Sequence, residues 1–148
     1  MKQIVIATDG SQSAQEAVEF GLELAKEQGA DVTFVHVVPP DEIRGGRGGS
    51  HAMTHTDGID ESESALKAAA DAAEGADVSY ALERISGETV DSIVSLADSK
   101  GADLIVVGSR GRGPVGSALL GSVSHGVVRQ AKRPVLIVRG VRVLEPTS

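Results

Sequence analysis

The chain has 148 residues, a net charge of −7 at neutral pH, no cysteine and very few aromatics. That length suits one domain, residues 1–148, with a proper core. The acidic balance argues against a general nucleic-acid binder, the missing cysteines exclude disulfides and thiolate chemistry, and no apolar run is long enough for a membrane span. The opening "MKQIVIATDG" reads as a strand and turn rather than a leader, so a cytoplasmic protein is expected. The composition fits a high-salt organism and an ordinary acidic protein equally well.

In chain order, Gln3 to Ala7 is a short β-branched run suited to a strand buried on both faces. Ser13 and Glu16 form a capping-box pattern before a helical stripe of Ala14, Ala17, Val18, Gly21, Leu22 and Ala25, and Gly29 stops that helix. Asp31 to Val38 is a second buried strand, ended by Pro39 and Pro40. Residues 43–58 hold almost no large apolar side chain and read as a flexible Gly-rich loop, a connector by default and otherwise a lid.

Asp60 with Glu63 is expected to cap the next helix, with Gly75 ending it. Val78, Tyr80 and Leu82 alternate as in a strand near an edge. Val90, Ile93, Val94 and Ala97 mark a third helix that stops at Gly101. A buried strand through "ADLIVVG" follows, then a glycine-rich stretch, a helix through Val123, Val127, Val128 and Ala131, and a last strand "VLIV". Five strands alternating with four helices predict a parallel sheet with helices on both faces. Ligands of such sheets bind beyond the carboxyl ends of the strands.

Two features stand at such a place. Asp9 directly follows the first strand, where it is either a binding group or a cap of the turn. Glycines 108, 111, 113, 116 and 121 follow the fourth strand. A helix beginning near Gly121, Ser122, Val123 and Ser124 would offer free N–H groups to phosphate, with hydroxyls from the two serines. Gly108 and Gly111 would clear space over a ribose or phosphate, and Arg110 and Arg112 would add positive charge or stand as solvated loop residues. No lysine lies between Lys100 and Lys132, so this is no Walker loop, and "DGSQSA" lacks the dinucleotide fingerprint. His51 and His55 lack a third ligand, His36 reads as a core histidine and His125 as a surface one.

Gly108-x2-Gly111-x9-Gly121-Ser122 resembles the nucleotide-binding signature of the universal stress protein family. "IVIATDGSQSAQEAV", "VHVV", "ADLIVVGSRGRG" and "RPVLIV" resemble that family in the same order. The resemblance implies an adenine-nucleotide α-hydrolase-like sheet with strand order 3-2-1-4-5, and membership of the ATP-binding class. It implies that Ala7, Thr8 and Asp9 border the adenosine, with Asp9 near the ribose or reaching the phosphates through Mg2+ or Mn2+. Val37 would pack on adenine, Val107 to Gly111 (Gly108 and Arg110 among them) would pass the ribose and phosphates, and Gly121, Ser122, Val123 and Ser124 would hold the phosphate chain. A homodimer through Val135 to Val138 is implied as well.

Gly126 departs from expectation, since it falls inside the fourth helix. No general base or nucleophile stands beside the glycine loop, so an ATP-dependent stress-response regulator is expected rather than a fast enzyme, with slow ATP hydrolysis as an alternative. An AMP or cyclic AMP binder and a dimeric scaffold without nucleotide also stay open. An ATP pyrophosphatase or nucleotidyltransferase is disfavoured, because "TDGSQS" and the lone histidines lack those motifs.

Overall fold

The computed structural model describes residues 1–40, 52–110 and 121–139, with the backbone alone for 52–61. In chain order these form β1 (Gln3–Ala7), α1 (Gln12–Gln28), β2 (Asp31–Val38), α2 (Ala52–Ala76), β3 (Tyr80–Ser86), α3 (Thr89–Lys100), β4 (Leu104–Gly108), α4 (Ser122–Gln130) and β5 (Val135–Val138). The strands make one parallel sheet of order β3-β2-β1-β4-β5. Ile4 of β1 pairs with Val32 of β2 on one side and with Leu104 of β4 on the other.

The continuous apolar runs are explained by two cores, one on each face. Ile4, Ile6, Phe34, Leu104 and Val106 pack under Ala17, Val18 and Leu22 of α1 and Leu66, Ala69 and Ala73 of α2. The alternate residues Val5, Val35, Val37, Ile105 and Val107 pack under Val90, Ile93 and Ala97 of α3 and Val127 of α4. With side chains alternating along each strand, both sets are apolar and no polar face remains. β3 is an edge strand, and its Leu82 is exposed.

Three helix boundaries correct the sequence reading. Ser11, not Ser13, is the N-cap of α1 and accepts a hydrogen bond from Ala14 N–H. Ser13 is instead buried, with its Oγ accepting from Arg110 N–H at 3.1 Å, so a tertiary contact selects between two nearby serines. α2 begins at Ala52 rather than at Asp60, which makes residues 52–58 helical and not loop. Once a helix is nucleated each further residue adds a hydrogen bond, so it can extend past its buried face. The rest of the expected loop lies outside the described residues. Finally, α2 continues through Gly75 to Ala76, and Asp77 takes the left-handed position at φ 62°. Asp is among the few residues besides glycine that tolerate this conformation.

Gly126 is accounted for by packing. A β-carbon there would lie 2.7 Å from Val90 Cγ2, so the missing side chain lets α4 approach α3.

Candidate functional site

Strand order reverses between β1 and β4: the chain moves from β1 outward to β2 and β3, then returns to β4 on the other side. The connections leave the carboxyl ends of these two strands in opposite directions, which opens a crevice. A cleft lies there. From the β1 end it is lined by Ala7, Thr8 and Asp9, from β2 by Val37, from the β4 end by Val107, Gly108 and Arg110, and from α4 by Gly121, Val123 and Ser124. Ten of the twelve expected site residues thus meet at one place. Ser122 is exposed on the first turn of α4 and is not in the lining, while Gly111 lies outside the described residues, as do Arg112 and His51. The free volume, about 90 Å³, is several times the roughly 10–15 Å³ that one water needs.

The turn after β1 is fixed by its own polar groups. Thr8 N–H donates to Val35 O at 2.9 Å, tying the turn to β2. Thr8 Oγ1 accepts from Gly10 N–H at 3.2 Å, and Asp9 Oδ1 accepts from Ser11 N–H at 2.9 Å. Gly10 sits at φ +82°, where other residues are strained. Asp9 therefore does cap the turn, with one carboxylate oxygen. The other oxygen is not engaged among the described residues.

Across the cleft, α4 begins differently from α1 and α3. Ser11 caps α1 and the Glu88 carboxylate caps α3, but the N-cap of α4 is Gly121 and no side chain caps it. The first bond from its N-terminus runs from His125 N–H to Gly121 O at 3.0 Å, leaving the N–H groups of Ser122, Val123 and Ser124 without helical acceptors. Those three groups and the positive end of the helix dipole suit an anion. Gly121 is itself held by N–H donation to Ser109 O at 2.7 Å.

Two expected roles change. The Ser124 hydroxyl is buried and donates to the carbonyls of Gly121 and Ser109, at 3.0 and 3.2 Å, so it braces the loop instead of facing a ligand. Gly108 is a glycine because α1 occupies the space beside it: a β-carbon would lie 2.5 Å from Ser13 Oγ and 2.7 Å from Ser13 O. The room it clears is filled by the protein.

The lining that sequence reading missed comes from Ala14, Val35, His36, Thr89 and Ile93. Thr89 and Ile93 belong to the first turns of α3. A signal for them existed, because every helix that follows a strand in such a fold starts at the same carboxyl edge. His36 is buried, with Nδ1 2.6 Å from Ser62 Oγ of α2, a core histidine as expected. His125 is exposed. No group of three His, Asp or Glu among the described residues could hold a metal ion by itself, and no described helix is long and apolar enough to cross a membrane.

A parallel sheet of this order, with helices on both faces and its crevice between β1 and β4, defines an open doubly wound α/β fold. The universal stress protein family profile matches residues 1–139, and the chain belongs to that family. A universal stress protein of Methanocaldococcus jannaschii is 37% identical over 139 residues, covering 93% of this chain and 82% of its own. A universal stress protein solved in complex with cAMP superposes with a TM-score of 0.69 at 30% identity, covering 93% of this chain and 96% of its own. The universal stress protein from Archaeoglobus fulgidus in complex with dAMP has the same fold, with a TM-score of 0.68 at 24% identity over 93% of this chain and 98% of its own.

Proposed function

We propose that the protein binds ATP in this cleft and acts as a nucleotide-dependent regulator of the stress response. The observation that carries this reading is the N-terminus of α4, which no side chain caps and whose Gly121, Val123 and Ser124 line a cleft walled by Val35, Val37, Val107 and Ile93. The first feature suits phosphate and the second suits a base. The roles are Val37 against adenine, Ala7, Thr8 and Asp9 beside the adenosine, Val107 to Gly111 along the ribose and phosphates, and the backbone of Gly121 to Ser124 around the phosphate chain.

Mg2+ or Mn2+ would arrive with the nucleotide. Such ions keep several waters and use one or two carboxylates besides the phosphates, and the unengaged oxygen of Asp9 fits that need without a protein cage. The working unit is a cytoplasmic single domain, residues 1–148, paired with a second copy along β5. Support for the pairing is that Val135, Leu136 and Ile137 are apolar yet only half-buried at a sheet edge.

A second reading, an AMP or cyclic AMP binder, is favoured by the relative solved with cAMP. Calorimetric titration with ATP, AMP and cyclic AMP, each with and without Mg2+, separates the two. ATP binding that is tightest and strengthened by Mg2+ is expected. Tighter binding of a monophosphate would replace the first reading with the second, and binding of none would leave a scaffold that works through its surface.

A further inference from the structure

The two helix N-termini that flank the cleft differ in charge. α3 starts under Glu88, whose carboxylate accepts from Asp91 N–H at 2.7 Å, and Asp91 adds a second acid to the first turn. α4 starts at a bare glycine, with Arg110 exposed at the same cleft. Phosphates are attracted to the α4 end and repelled from the α3 end. The base of a nucleotide is thereby directed to the α3 side, where Thr89 and Ile93 join the apolar wall of Val35 and Val37.

Three hydroxyl-bearing residues line the cleft: Thr8, Thr89 and Ser124. Thr8 Oγ1 is an acceptor for Gly10 N–H, and Ser124 Oγ donates to two carbonyls. Thr89 differs, since its half-buried side chain makes no hydrogen bond among the described residues. With no protein partner among the described residues and an oxygen that is not itself buried, the hydroxyl is open to the cleft's water and free to exchange that water for a polar group of a bound ligand.

We propose that Thr89 reads the base, its hydroxyl oxygen accepting a hydrogen bond from the exocyclic amine of adenine. This assignment rests on the nucleotide reading above and adds a specificity-determining residue to it. The test pairs one protein group with one ligand group. Wild type, Thr89→Val and Thr89→Ser are titrated with ATP and with purine riboside triphosphate, which lacks only the amine. Thr89→Val should weaken ATP binding about three- to tenfold, the effect of one neutral hydrogen bond, and change binding of the amine-free analogue less than about twofold. Thr89→Ser should keep ATP binding within about twofold of wild type.

An equal loss for both ligands, or no loss for either, overturns the assignment while leaving the nucleotide reading intact. Failure of the wild-type protein to bind ATP, AMP or cyclic AMP overturns the nucleotide reading, and the Thr89 assignment with it.

Discussion

Gly108 and Ser13 approach so closely that a β-carbon on the glycine would fall 2.5 Å from the serine hydroxyl oxygen and 2.7 Å from its carbonyl oxygen. The contact locks the end of β4 to the first turn of α1, and the bond from Arg110 N–H to Ser13 Oγ closes it. A hydroxyl can rotate away, but a carbonyl within a helix cannot. Gly108→Ala is therefore expected to destabilise the fold by about 1–3 kcal/mol, as overpacking does. Urea unfolding checks this: the midpoint should fall at unchanged slope. A wild-type midpoint would show that α1 shifts freely and that the close contact is not what requires glycine.

Gly126 makes the same argument between two helices. Alanine has a helix preference about 1 kcal/mol better than glycine, which alone predicts a gain. Its methyl would, however, sit 2.7 Å from Val90 Cγ2, and overpacking of that kind costs about 1–3 kcal/mol. We expect Gly126→Ala to destabilise the wild-type protein by about 1 kcal/mol and to stabilise a Val90→Ala background by a similar amount. Unfolding midpoints of the four proteins give the coupling. Simple additivity would mean that the helices do not meet as described.

These two glycines also mark how far sequence reading reached. The strands were legible because both faces are buried: Ile4, Val5 and Ile6 serve alternating cores, so the run is apolar without a break. Gly29 and Gly101 were legible as helix stops because the left-handed conformation they adopt, at φ 68° and 63°, has a known residue preference. Asp9 and the start of α4 could be placed in one cleft because parallel topology gathers all strand ends at one edge. What failed depended on contacts between distant segments. Ser11 and Ser13 are equivalent caps in sequence, and only the approach of Arg110 separates them. Gly108 reads as ligand space until α1 is seen to fill it. Thr89 was missed because it carries no motif, only a position.

Asp103 holds the amino-terminal edge of the sheet. Its Oδ2 accepts from Lys2 N–H at 2.7 Å and from Gln3 N–H at 3.1 Å. These backbone donors, foremost among the causes, hold its carboxyl below the ordinary value of 3.8, helped by the chain's amino group and Arg133. A depressed folded-state pKa stabilises the fold above the unfolded value, and that contribution disappears as pH falls through the folded one. Asp103→Asn imitates the protonated acid at every pH. Its unfolding midpoint should lie below wild type at neutral pH, and the gap should close as pH drops below about 4. A gap that stays constant down to pH 2 would assign the loss to packing instead.

The N-terminus of α4 allows a change that removes one proposed phosphate donor and leaves the helix intact. Ser122 is its first residue, where proline is favoured because that N–H has no helical acceptor. Proline restricts the preceding residue to extended conformations, and Gly121 already lies at φ −70°, ψ 164°. Ser122→Pro should therefore leave the melting temperature within a few degrees of wild type, roughly the change that 1 kcal/mol produces in a domain this size. A hydrogen bond to a charged group contributes about 1.5–3 kcal/mol, so nucleotide affinity should fall by about tenfold or more. Ser122→Ala, which keeps the N–H and loses only the hydroxyl, separates the backbone from the side chain. If the proline variant binds as wild type does, the phosphates do not lie at this N-terminus; if the alanine variant loses as much, the hydroxyl rather than the backbone is their partner.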